Sequence, residues 1–251
     1  EVHRKFEKLS GVSGTKYQAG VAVLKDYDNI YDAELDVWHQ RVEKESRDGL
    51  FRAGQRTHTP IDYVYFTEHT KADDLRKYQV IFYPHASILT KERMCVLEEY
   101  VKAGGCLVMG CRTGYKDMTG QCVTAYLPGL AAELTATDIP EYSFVSPDED
   151  PVMADWDGEE IPTGIFNDLL MPLNEEGKVL AAYAGSYYKG EPALIFHECG
   201  EGKAYYFGGT FTEQTAETFL RKLGAADPYG DIVNVTPDCE IAVRTDGEKN
   251  Y

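Results

Sequence analysis

The chain has 251 residues, 43% hydrophobic and 27% charged, enough for one large domain or two modest ones with a buried core. Its 25 Lys and Arg against 42 Asp and Glu leave a net charge of −17, a field that repels phosphates and anionic lipid heads and excludes nucleic acid and membrane surfaces as partners. No apolar run approaches the ~18 residues of a membrane-spanning helix.

In chain order, Val2, Phe6 and Leu9 recur at helical spacing among charged residues, so residues 1–9 read as the end of a charged helix. Val21 to Leu24 is an apolar run that predicts a buried strand, and Asp28 to Asp32 read as a polar, aromatic loop. Leu35, Trp38 and Val42 then supply the apolar face of a helix reaching Ala53. Ile61 to Phe66 alternates as a strand, Leu75 to Tyr78 closes a short helix, and Val80 to Tyr83 is the next apolar strand. Thr90 is placed to cap a helix running to Ala103, with Met94, Leu97 and Val101 on one face and Gly104-Gly105 as its stop. Cys106 to Met109 is a fourth strand.

Strand and helix alternating at this spacing predict βαβ units and a doubly wound, flavodoxin-like parallel sheet. Ligands in such sheets bind beyond the carboxyl ends of the strands, here Asp26–Asp32, Thr67–Ala72, Pro84–Ile88 and Gly110–Asp117.

The middle differs. Residues 117–177 hold fourteen Asp and Glu and no Lys or Arg, and Pro128, Pro140, Pro147, Pro151 and Pro162 break the segment into short pieces. It reads as an acidic, β-rich excursion. Leu180 to Ala184 then predicts a strand, Ala193 to Phe207 a hairpin, and Glu213 to Leu223 a final helix. Cys239 to Tyr251 reads as a strand and a turn at Asp246-Gly247 that receives no partner. A chain opening on Glu1 in a helix tail and stopping in a half-hairpin is expected to be a piece of a longer one.

Three constellations bear on chemistry. The six cysteines form no C-x-x-C pair, so no zinc site is assigned and the thiols read as reduced, pointing to a cytoplasmic protein. Cys111 lies just past a predicted strand, where a hydrolase of this fold places its nucleophile, and His197 with Glu198 could serve as base and orienter. The strained elbow needs small flanking residues, however, and Met109 and Thr113 occupy those places. Asp148, Glu149, Asp150, Asp155, Asp157, Glu159 and Glu160 form an acidic cluster without the ligand pattern of a calcium loop, read first as a solvated face and second as a calcium or carbohydrate module.

The turn Gly104-Gly105 into the strand, the loop Arg112-Thr113-Gly114 ending in Asp117, and Leu127-Pro128-Gly129-Leu130 together resemble the middle domain of glycoside hydrolase family 42 β-galactosidases. The likeness extends to Val21–Asp36 and Ala193–Gly209. The resemblance implies a class I glutamine amidotransferase-like fold that has lost its nucleophile elbow and mediates trimerisation of a retaining enzyme acting on β-galactosides. Residues 1–16 would then be the remnant of the catalytic barrel's last helix and linker, 17–226 the trimerisation domain, and 227–251 a linker and the start of a C-terminal β domain. Both catalytic glutamates of the family would precede Glu1, so no catalytic, cofactor-binding or metal-ligating residue is assigned here. The expected partner is a second and third copy of the chain, in a bacterial homotrimer. The 18 Tyr, 10 Phe and 2 Trp suit an interface as well as a core, and Tyr27, Tyr31 and Trp38 are the candidate interface residues.

Overall fold

Helix α1 (Val2–Lys8) leads into β1 (Lys16–Gln18) and β2 (Val21–Lys25) of a computed structural model that describes all residues except Glu1, Pro147, Pro237 and Asp238. Glu1 and Pro147, used in reading the sequence, therefore lie outside the described residues, as do Pro237 and Asp238 within the C-terminal segment. Helices α2 (Tyr27–Leu35) and α3 (Val37–Arg56) follow, then β3 (Ile61–Tyr65), α4 (Ala72–Leu75), β4 (Val80–Tyr83), α5 (Lys91–Lys102) and β5 (Cys106–Met109). The excursion supplies α6 (Ala132–Thr135), β6 (Thr137–Phe144), β7 (Met153–Trp156), β8 (Glu159–Pro162) and β9 (Phe166–Pro172). The chain ends with β10 (Lys178–Tyr183), β11 (Pro192–Cys199), β12 (Gly202–Phe207), α7 (Glu213–Lys222) and β13 (Val243–Thr245).

Nine strands form one mixed sheet in the order β3-β2-β4-β5-β12-β11-β10-β7-β8. From β3 to β12 neighbours run parallel, and from β12 to β8 antiparallel. The parallel half explains its own sequence. Strands covered by helices on both faces must be apolar throughout. In β2, Val21 and Val23 join the core under α3 and α7 with Phe82, Leu50 and Phe219, while Ala22 and Leu24 join the opposite core with Ile81, Leu97 and Leu107. Strands β6 and β9 pair separately.

Side-chain caps start the helices. Asp26 accepts from Asn29 N–H at the head of α2, Asp36 from Trp38 and His39 N–H at α3, and Thr90 from Arg93 N–H at α5. Two sequence expectations need correction. The 28–32 segment is helical, because Asp26 is an N-cap and Asp28 and Asp32 find cations elsewhere in the fold. The C-terminal strand does have partners: β13 pairs with β1 antiparallel, Tyr17 opposite Arg244, and Thr245 bridges to Asn250 across the Asp246-Gly247 turn.

Candidate functional site

The carboxyl ends of β2, β4 and β5 deliver Asp26, His85 and Cys111-Arg112 to the end of the sheet where open α/β folds bind ligands. His85 and Arg112 both adopt left-handed backbone, with φ of 58° and 63°. Their side chains then fill the crevice. His85 Nδ1–H donates to the Cys111 carbonyl at 2.7 Å, which leaves Nε2 to accept from the Ser46 hydroxyl. Ser46 in turn accepts from Phe211 N–H at 2.8 Å. All of these side chains are buried, and burial holds the His85 imidazole at about 4, in its neutral form.

Cys111 Sγ lies 3.5 Å from His85 Nδ1, but that nitrogen already carries its proton toward a carbonyl and has no lone pair to offer. Burial and the Asp168 charge push the thiol well up. A nucleophilic cysteine needs the reverse of both conditions.

Asp168 sits midway along β9 and is fully buried. Its carboxyl accepts from Arg112 N–H (3.0 Å), Tyr115 OH (2.7 Å) and Tyr206 OH (2.9 Å). Burial raises it to about 6, against the pull of these three donors. The Arg112 guanidinium lies over the rings of Tyr115 and Phe166 and donates to Asp36 at 2.7 Å. Lys116 reaches Asp32 at 2.8 Å and Asp36 at 3.0 Å. Burial acts to raise Asp36, but hydrogen bonds from Lys116 and His39 N–H and the Arg112 charge outweigh it and hold the carboxyl at about 2. On the other flank, buried Arg93 takes Asp28, Glu68 and Asp26. Asp28 and Asp32 of α2, and Asp36 just after it, are thus neutralised from inside.

His197 and Glu198 are elsewhere. His197 Nδ1 donates to the Leu134 carbonyl at 2.8 Å, its Nε2 faces Glu176, and Glu198 is paired with Lys178. His197, on β11, is engaged by Leu134 and Glu176, and the imidazole beside Cys111 is His85, so the expected Cys111–His197–Glu198 triad is not brought together. Within the acidic cluster, Asp157 pairs with Lys222 and Glu159 with Arg221 of α7, while Asp148, Glu149 and Asp150 face solvent. No group of three potential metal ligands converges among the described residues.

Apolar side chains that the core does not use gather around α2. Tyr27 stacks between Tyr31 and Tyr65, with ring centroids 5.7 and 5.2 Å away, and all three are exposed. Leu35 and Val37 are exposed beside them, and Trp38 is half-exposed against Phe144. Past Lys116, an open groove of about 830 Å³ is lined by Met118, Tyr126, Leu130 and Leu173. These features define a mixed α/β domain whose crevice is closed by its own side chains and whose spare apolar residues lie outside.

The model of the β-galactosidase trimerisation domain matches residues 19–227. The chain belongs to that family. It is 31% identical over 228 residues to the β-galactosidase Pbg of Clostridium perfringens, covering 87% of this chain and 32% of that protein. It is 23% identical to the β-galactosidase LacZ of Heyndrickxia coagulans, over all of this chain and 37% of that one. Among solved structures, the β-galactosidase of Bacillus circulans sp. alkalophilus superposes with a TM-score of 0.81 at 21% identity, covering 98% of this chain and 37% of that one. The chain thus spans about a third of the length of the relatives it matches.

Proposed function

We propose that this chain is a non-catalytic module that assembles copies of itself into a homotrimer. The observation that carries the reading is the closed crevice. Asp168, Arg112, His85 and Ser46, hydrogen-bonded to neighbouring groups of the chain itself, occupy the place where a ligand or a reacting thiol would sit. The parallel strands, numbered among themselves, lie in the order 2-1-3-4-5, which supports the flavodoxin-like and amidotransferase-like label. Residues 17–226 would form the module, with 1–16 and 227–251 as the flanks joining it to other parts of a longer protein. That protein would hydrolyse terminal β-galactosides by a retaining mechanism whose two carboxyl groups lie outside this chain. Six free cysteines support a reducing, cytoplasmic setting.

Native mass spectrometry tests the reading, with an assay on a chromogenic β-galactoside beside it. A three-copy species without hydrolysis is expected. Only single copies, or turnover of the galactoside, would overturn it.

A further inference from the structure

We propose that the ring closes by ridge into groove: the apolar ridge at the end of α2 on one copy docks into the groove beside Lys116 on the next. This rests on the homotrimer reading and adds which surfaces meet. A three-membered ring is heterologous, so each copy must present two different, complementary patches. The molecule has such a pair. The ridge carries Tyr31, Leu35 and Val37, all exposed, and the groove carries Met118, Tyr126 and Leu130. Lys116 lines the groove and holds Asp32 and Asp36 of the ridge, so the two patches lie side by side. Adjacent patches on one end of the molecule are what a three-fold axis passing close to that end requires.

Charge selects the same surface. Copies of a chain with net charge −17 repel one another, and contact is cheapest where charge is already cancelled. Around α2, Asp28, Asp32 and Asp36 point inward to Arg93, Lys116 and Arg112. What remains outward is the apolar set Tyr31, Leu35 and Val37 with one acid of the helix, Glu34, among them.

The test uses one variant per patch. Leu35 and Tyr126 are each 88% exposed, so Leu35→Glu and Tyr126→Glu leave the fold intact while placing a charge at the junction. Each variant alone loses the trimer. Mixed in equal amounts they form a two-copy species, because the intact ridge of Tyr126→Glu meets the intact groove of Leu35→Glu. Native mass spectrometry separates this heterodimer from either homodimer by mass. Val37→Glu and Met118→Glu form a second pair for use if either first variant melts well below wild type. Trimers that persist in both variants, or dissociation of the ridge variant alone, would overturn the ridge-into-groove arrangement while leaving trimerisation standing. A wild-type chain that is monomeric throughout would instead remove the homotrimer reading, and this inference with it.

Discussion

The Arg112 amide donates to the Asp168 carboxylate across 3.0 Å, joining the loop after β5 to the middle of β9, 56 residues further along the chain. One carboxyl group thereby fastens the acidic excursion into the mouth of the parallel sheet. It also anchors the two tyrosine hydroxyls that line this contact.

Asp168→Ala leaves three buried donors without an acceptor. Breaking such a network costs roughly 3–5 kcal/mol, which a shift in the urea unfolding midpoint would show. A loss under about 1 kcal/mol would mean that water or relaxation replaces the carboxyl.

Thiol labelling separates the cysteines. Cys95, Cys122 and Cys239 are exposed, whereas Cys111 is buried with its pKa pushed up by burial and by Asp168. A thiol reagent at neutral pH should therefore label the first three quickly and Cys111 only upon unfolding. Rapid labelling of Cys111 in the native chain would contradict the closed crevice.

The centre of the parallel half was readable in the sequence because its apolar runs Val21–Leu24 and Val80–Tyr83 are buried on both faces, and β3 at the edge by its alternation. Thr90 as a cap was equally legible. Helix α2 was not, since Asp28, Asp32 and Asp36 look like a loop until Arg93, Lys116 and Arg112 fold against them from 65, 84 and 76 residues away. Asp168 left one signal, a lone acid inside the run Phe166–Leu170, whose burial obliges it to find donors. The pairing of β13 with β1 joins opposite ends of the chain and has no local signature. The imidazole beside Cys111 comes from a left-handed residue after β4, which periodicity does not register.

The pH dependence of His85 has a definite sign. Its pKa falls from 6.5 to about 4 on folding, so the neutral ring contributes stability fully above pH 6.5 and loses it as pH falls through 4. Asp168, raised from 3.8 to about 6, acts in the opposite sense, contributing below 3.8 and losing that contribution as pH rises through 6. In His85→Asn only the Asp168 contribution remains of the two. The variant's deficit against wild type should then be largest at pH 7 and shrink by about 3 kcal/mol at pH 4. A deficit that does not change with pH would contradict the buried neutral imidazole.

Gly114 holds the same loop from the other side. Its φ is 73°, and a Cβ there would stand 2.0 Å from the Pro128 carbonyl oxygen. Gly114→Ala should cost about 2–4 kcal/mol, through left-handed strain and displaced backbone, and lower the melting temperature accordingly. A melting temperature within 2 °C or so of wild type would show that the two loops are not in contact.

The most direct measurement is the solution mass of the wild-type chain by light scattering over a dilution series. The account predicts a species of three times 28.1 kDa that persists on dilution and survives moderate salt, since the proposed junction is apolar. A mass of 28.1 kDa at every concentration would contradict it.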